Sequence, residues 1–198
     1  MKTLLKGAVL AATLSLCVAS AHAQIFVYQA VLDGPSESPA NASPGTGFAT
    51  VTINTTLNTM RVQASFSGLT GNTTASHIHA ATATPFAGTA GVATQTPTFS
   101  GFPLGVTSGS YDNTFDMTLA SSYNPTYVAA HGGTAAQAFT DLQTAIANGQ
   151  AYLNIHTSTF PAGEIRGFLT TTAPEPGTFA LLGLAAVPGI TLLRRRHK

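Results

Sequence analysis

Strict alternation of polar and apolar residues near the end of the chain constrains its fold more than any other feature. In the stretch AYLNIHTSTFPAGEIRGFL, residues 151–169, polar and aromatic residues occupy the even positions from Tyr152 to His156 and again from Glu164 to Phe168. Aliphatic residues or glycine occupy the odd positions between them. A period of two is typical of strands that present different side chains to their two faces. The stretch therefore predicts a β-hairpin with one aliphatic face and one polar, aromatic face.

The connection between the two strands sets the register that we expect. Pro161, Ala162 and Gly163 are typical of a turn. One register gives each polar side chain a cross-strand partner: His156 opposite Glu164, Asn154 opposite Arg166, and Tyr152 opposite Phe168. We predict that Asn154, Glu164 and Arg166 form a polar network that holds this hairpin.

The middle of the chain predicts more strands and a single helix. Strands are predicted at Ile25–Leu32, Gly47–Asn54, Thr59–Phe66, Ser76–Ala80, Val92–Phe99 and Ser108–Leu119. A helix is predicted over about 134–148, because Thr134 can cap it, apolar residues recur at helical spacing, and Asn148-Gly149 ends it. The fold class predicted is mainly β, a β-sandwich with one late α-helix.

The first 23 residues have the pattern of a signal peptide. Two lysines precede an apolar run from Ala8 to Val18, and Ala21-His22-Ala23 has the small-residue pattern that signal peptidase cuts. The apolar run is too short to span a membrane. We expect residues 1–23 to be removed and the exported protein to begin at Gln24.

The other end of the chain combines three features in a fixed order. Pro174-Glu175-Pro176 precedes 17 residues without a charge, 177–193, and a basic end that contains Arg194, Arg195 and Arg196. Residues 174–198 resemble the PEP-CTERM sorting signal of Gram-negative bacteria. The resemblance implies a short transmembrane segment, processing by an exosortase-type membrane protease, and delivery to the outer cell surface or an extracellular matrix of exopolysaccharide. The alternative is an ordinary C-terminal membrane anchor.

Removing both ends changes the charge of the protein. Between Gln24 and Ala173 the chain has two arginines and six carboxylates, a net charge of −4. This charge excludes nucleic acid as the partner. The single cysteine, Cys17, lies in the predicted signal peptide, so residues 24–173 cannot form a disulfide.

Two motifs in residues 24–173 carry a second resemblance. Ala75-Ser76-His77-Ile78-His79 is followed by the alanine-rich helix, and the chain then runs through AYLNIHT (151–157) to PAGEIRG (161–167). Together these motifs resemble the CHRD domain, named from chordin, over about residues 25–171. The resemblance implies an extracellular, immunoglobulin-like β-sandwich with no agreed enzymatic activity.

Three histidines are candidates for a metal site. His77 and His79 lie two residues apart on a predicted strand, so both imidazoles project from one face, and His156 lies on another strand. Glu164 or His131 is a candidate for an accessory ligand. The His-x-His strand is loosely similar to the copper site of Cu/Zn superoxide dismutase, a Greek-key sandwich, although that family's full ligand set is absent. The alternative is that these histidines only hold neighbouring strands together.

Two functions therefore remain open at the level of sequence. One is a non-enzymatic protein of the cell surface or exopolysaccharide matrix, with an exterior rich in Thr, Ser and Asn that suits uncharged partners. The other is an envelope protein that binds copper or zinc. No nucleophile and base occur in a recognisable catalytic motif, so we expect no enzymatic activity, with metal-dependent redox chemistry as the least improbable exception.

Overall fold

A computed structural model describes residues 24–171 of the chain. The described residues form eight β-strands and two α-helices: β1 (Ile25–Asp33), β2 (Thr46–Asn54), β3 (Thr59–Ser67), β4 (Thr73–His79), β5 (Gly109–Asp116), α1 (Pro125–Ala130), α2 (Ala135–Ala147), β6 (Tyr152–Thr157), β7 (Ile165–Phe168) and β8 (Thr170–Thr171). A single 3₁₀ turn, Ala120–Ser122, precedes α1. The predicted signal peptide and sorting segment lie outside the described residues.

The strands form one antiparallel sheet that curls into a half-barrel. Its order is β4-β6-β7-β1-β2-β3-β5, and β8 pairs with β1 beside β7. This confirms the prediction of a mainly β fold with one late helix. In place of the two sheets of a sandwich, one curled sheet carries the apolar residues, which form a single core cluster.

Alternation along the central strands builds the core. In β2 the odd positions Ala49, Val51 and Ile53 are buried, while the even positions between them are partly exposed. In β3 the even positions from Met60 to Phe66 are buried in the same way. Since side chains alternate between the two faces of a strand, this pattern lines one face of the sheet with apolar residues.

Helix α2 covers one side of the core. Thr134 caps its first turn by accepting a hydrogen bond from the amide of Gln137, and Gly149, with φ of +68°, follows its last residues. One face of the helix is buried, and it carries Ala138, Phe139, Leu142, Ala145 and Ile146. The helix and both of its ends agree with the predicted range of 134–148.

The terminal hairpin has the predicted register. Tyr152 pairs with Phe168, Asn154 with Arg166, and Ile155 with Ile165. Strand β6 also pairs with β4 on its other side, where His77 lies opposite Asn154 and His79 opposite Tyr152. The polar, aromatic face predicted for the hairpin therefore continues onto β4.

The prediction of a strand at Val92–Phe99 is wrong, because threonine side chains accept some of the hydrogen bonds that a strand backbone would accept. This segment runs along the free edge of β4 and makes only single bridges, Val92 to His79 and Thr94 to Tyr123. The amide of Ser76 donates to the hydroxyl of Thr98, and the amide of Ile78 donates to the hydroxyl of Thr94. The amides of Ala93 and Phe99 donate to the carbonyl oxygens of Ile78 and Ser76. Threonine hydroxyls and single backbone amides thus satisfy the edge of β4 together, without a regular ladder.

No helix among residues 24–171 has both the length and the apolar character needed to cross a membrane. The short span predicted at 177–193 lies outside those residues.

The position of Gly167 against the backbone of β1 generates a stability prediction. A Cβ at Gly167 of β7 would overlap the backbone carbonyl oxygen of Val31 in β1. We expect Gly167→Ala to lower the free energy of unfolding by about 2 kcal/mol, because the two strands must separate to accept the methyl group. Urea unfolding monitored by circular dichroism measures the difference. Gly91→Ala is the matched control, since nothing lies within 4 Å of a Cβ there, and an equal effect of the two substitutions would contradict the prediction.

Candidate metal centre

Three histidines from two neighbouring strands meet on one face of the sheet. His77 and His79 are two residues apart on β4, and His156 on β6 lies opposite Ala75 of β4. The ring centroids are 5.7 Å apart for His77 and His79, 5.2 Å for His77 and His156, and 5.7 Å for His79 and His156. One ring nitrogen from each lies within 4.8 Å of the others. The His-x-His spacing and the β4–β6 register together produce this cluster.

A backbone carbonyl fixes each imidazole. Nε2 of His77 lies 2.5 Å from the oxygen of Pro97, Nδ1 of His79 lies 2.9 Å from that of Ala90, and Nδ1 of His156 lies 3.0 Å from that of Pro161. A carbonyl oxygen can only accept, so in each bond the ring nitrogen carries the hydrogen. In a neutral imidazole the opposite ring nitrogen then carries a lone pair.

Those opposite nitrogens have no partner within the described residues. Nδ1 of His77, Nε2 of His79 and Nε2 of His156 are all buried and without a hydrogen bond. They are three of the six buried side-chain polar atoms in this state among residues 24–171. Buried polar groups are normally paired, so three unpaired acceptors in one cluster require an explanation.

The surroundings keep the three imidazoles neutral. Burial lowers the pKa of His77 and of His156, and it lowers the pKa of His79 to about 4. For His79, the charges of His156, His77 and Arg166 lower the pKa further. At neutral pH the rings therefore have the deprotonated nitrogen that a metal ligand needs.

A stack of side chains joins the histidines to Arg166. The ring of Tyr152 is parallel to that of His79 at 4.9 Å, and the guanidinium carbon of Arg166 lies 4.6 Å from the centre of the Tyr152 ring. Arg166 donates to the carbonyl oxygens of Ser36, at 2.5 Å, and Gly88, at 3.0 Å. Its charge therefore lies beside the cluster and is largely buried.

Glu37 is the carboxylate nearest to Arg166. Its Oε2 lies 3.7 Å from Nε of Arg166, and its Oε1 is buried without a partner. Burial raises the pKa of Glu37 to about 7, and the charge of Arg166 opposes that rise. At neutral pH the carboxyl is therefore only partly ionised and offsets only part of the Arg166 charge. No sequence pattern singles out Glu37, because its position depends on the loop that follows β1.

The structure does not bring Glu164, a predicted accessory ligand, into the cluster. Its carboxylate accepts hydrogen bonds from the hydroxyls of Ser43 and Thr157, both at 2.6 Å, and from the amides of Thr70 and Gly71. Both oxygens are occupied and the side chain is fully buried. Glu164 therefore joins the loop before β2 and the loop before β4 to the end of the hairpin.

His131, the other predicted accessory ligand, also lies elsewhere. It follows α1, where its Nδ1 is 2.8 Å from a carboxylate oxygen of Asp141 and its ring stacks on Tyr127 at 4.0 Å. Helix α1 was not predicted, although Asn124-Pro125 is a cap followed by a proline in the first turn. That helix places His131 against α2.

The predicted polar network of Asn154, Glu164 and Arg166 is divided between different partners. Arg166 bonds to the loop after β1 and to Gly88, whereas Glu164 bonds to residues before β2 and β4. Asn154 lies opposite Arg166, with its Oδ1 buried and unpaired. It packs against Gly163, where φ of +135° and the lack of space for a Cβ both require glycine. The three residues hold the hairpin through separate contacts.

Comparison with known proteins gives one match. The family model of the CHRD domain matches residues 28–169, nearly all of the described chain. No curated protein and no solved structure matches. The matched range contains all three histidines of the cluster as well as Arg166.

The hydrogen bonds of Glu164 generate a prediction for stability. In Glu164→Gln an amide group would face at least one of four donors, so we expect a loss of about 3 kcal/mol in the free energy of unfolding, measured in urea. Asp112→Asn is the control, since that carboxylate pairs with Arg61 on the exposed face, and it should change stability little. Equal losses in the two variants would contradict the role of Glu164.

The same carboxylate should make stability depend on pH. Burial raises the pKa of Glu164, but its hydrogen bonds outweigh that effect and hold the pKa below its ordinary value of 4.5. Because the pKa is lower in the folded state, the stabilisation is present above pH 4.5 and is lost as the pH falls through the folded pKa. The free energy of unfolding of Glu164→Gln should therefore fall less than that of the unaltered protein as the pH is lowered below 4.5.

Proposed function

The chain belongs to the CHRD-domain family, and on that premise we propose that it is an exported, non-enzymatic protein that holds one copper or zinc ion on His77, His79 and His156. The family is not a known enzyme family, and its domain is consistent with an extracellular location. The metal site is a property of this chain's own side chains, and the support for it is geometric.

The observation that carries the proposal is the group of three buried imidazole nitrogens with no hydrogen-bond partner. The sequence left open that His77 and His79 only hydrogen-bond to neighbouring strands, while His156 pairs with Glu164 and Arg166. Each ring does bond to a neighbouring backbone carbonyl, that of Pro97, Ala90 or Pro161. Those bonds use one nitrogen of each ring and leave the other three nitrogens as acceptors without a donor. Three lone pairs cannot satisfy one another, whereas a metal ion accepts all of them.

The surroundings of the rings also suit a metal. Histidines that bind metals usually donate their other ring hydrogen to a carbonyl or carboxylate, which fixes the orientation of the ring. All three rings make such a bond here. Imidazole nitrogen is a ligand preferred by copper and zinc.

Metal analysis of the full-length protein, purified without a polyhistidine tag, tests the site. After loading with Cu(II) or Zn(II) and desalting, we expect about one ion per chain, because three preorganised imidazoles bind either metal. The double variant His77→Ala/His79→Ala should lose the ion. His131→Ala, a histidine outside the cluster, should keep it. Absence of metal from the unaltered protein, or equal metal in the double variant, would contradict the proposal, provided that circular dichroism shows a folded chain.

A second part of the proposal concerns where the protein works. The sequence features at the two ends support export through a signal peptide, transient membrane anchoring, and processing by an exosortase-type protease, with the mature domain at the outer cell surface or in the matrix. Exopolysaccharide is the proposed partner there. The outward face of β2, β3 and β5 supports this partner, since it has a cavity of about 430 Å³ whose lining combines hydroxyl and amide side chains and the carboxylate of Asp112 with the half-exposed ring of Phe48.

Analysis of the protein recovered from the cell surface tests this second part. We expect mass spectrometry to show an amino terminus at Gln24 and loss of residues from the C-terminal segment, because both ends have the patterns of processed signals. The recovered domain should be retained by the organism's exopolysaccharide, and less so after Phe48→Ala. Leu104→Ala, an apolar residue of similar exposure outside that cavity, should not weaken retention. Unprocessed ends in the surface fraction would count against the proposed export and processing. Failure of the exopolysaccharide to retain the domain would count against the proposed partner.

A further inference from the structure

The charge balance around the three histidines distinguishes between ions of different charge. The cluster consists of three neutral imidazoles, and within the described residues it contains no carboxylate. Glu164 already bonds to four donors elsewhere. A dication in this site would therefore keep its full charge in a largely buried position, which is costly, whereas a monocation would keep half of it.

A fixed positive charge beside the cluster increases that difference. Arg166 lies against Tyr152, which stacks on His79, so its positive charge lies beside the cluster. Glu37 is the carboxyl that faces Arg166, and it is only partly ionised at neutral pH. Coulomb repulsion grows in proportion to the charge of the ion, so Arg166 opposes a dication twice as strongly as a monocation.

The number of ligands also favours a monocation, Cu(I), over Zn(II). Zinc in protein sites is almost always four-coordinate, so on three histidines it must also hold a water molecule. The cluster offers three ring nitrogens, while both predicted accessory residues bond elsewhere. Cu(I) is a monocation that is stable with three nitrogen ligands, so it needs no further ligand from the protein.

We propose that the three-histidine site is selective for Cu(I) over Zn(II), and that Arg166 contributes to this selectivity through its charge. This inference rests on the proposed metal site and adds the identity and oxidation state of the ion. Arg166 acts here as a positioning and electrostatic residue, since it offers no ligand atom to the ion.

Competition titrations measure the selectivity. The full-length protein with Cys17→Ser, which removes the single thiol, is titrated at neutral pH. Cu(I) binding is measured anaerobically against bicinchoninate and Zn(II) binding against a chromophoric zinc chelator. We expect a Kd for Cu(I) that is at least about 100-fold lower than that for Zn(II), because the site has three neutral ligands and a neighbouring cation. Both signals should disappear in His77→Ala/His79→Ala.

Two charge variants test the cause of the selectivity, because they should change it in opposite directions. Arg166→Gln removes the cation and should reduce the ratio of the Kd for Zn(II) to the Kd for Cu(I) by about tenfold. Glu37→Gln removes the offsetting carboxylate and should increase that ratio. The second variant is nearly isosteric, so it serves if Arg166→Gln fails to fold. Arg61→Gln is the matched control, because it removes an arginine charge from the exposed face of β3, and it should leave the ratio unchanged.

The possible outcomes separate this inference from the metal site itself. If neither ion binds, or binding survives in the double histidine variant, both proposals fail. If the histidines bind Zn(II) as tightly as Cu(I), the metal site stands and the selectivity is overturned. If Cu(I) is preferred but the ratio does not respond to Arg166→Gln or Glu37→Gln, the role of Arg166 is overturned.

Discussion

The position of β6 between β4 and β7 is the constraint on which the candidate site depends. Its register against β4 places His156 beside His77 and His79, and its register against β7 places Arg166 on the same face. A slip of one residue would turn the aliphatic side chains of β6 toward that face and send the polar ones into the core. The core of the half-barrel thus fixes the polar cluster, because burial of Leu153 and Ile155 permits only one register.

Residues 24–171 are poor in charge, and this shapes how the polar face of β4, β6 and β7 is covered. Loops lie over it, and their backbone carbonyls receive hydrogen bonds from the imidazoles and from Arg166. Carbonyl dipoles orient the rings without adding negative charge, so the cluster stays neutral while Arg166 remains nearby. A carboxylate in the same place would orient a ring equally well but would attract dications.

Local patterns predicted much of this arrangement. Alternation in residues 151–169 was sufficient for the hairpin and its register, and the spacing of His77 and His79 was sufficient to place both rings on one face, since each depends on near neighbours in the chain. Glu164 could not be placed this way, because its partners Ser43, Thr70 and Gly71 are about a hundred residues away. The segment Val92–Phe99 has the composition of a strand, but threonine hydroxyls accept the hydrogen bonds of two β4 amides that a regular ladder would pair with backbone carbonyls. The carbonyls that fix the histidines have no sequence pattern.

Two of those three carbonyls belong to prolines, Pro97 and Pro161. A proline has no amide hydrogen, so it cannot take a regular place inside a β-ladder. The segments that cover the histidines are thereby prevented from being absorbed into the neighbouring sheet, where their carbonyls would bond to strand amides instead of to the rings. Proline at these two positions therefore helps to keep the carbonyls of the covering segments free to accept hydrogen bonds from the imidazole rings.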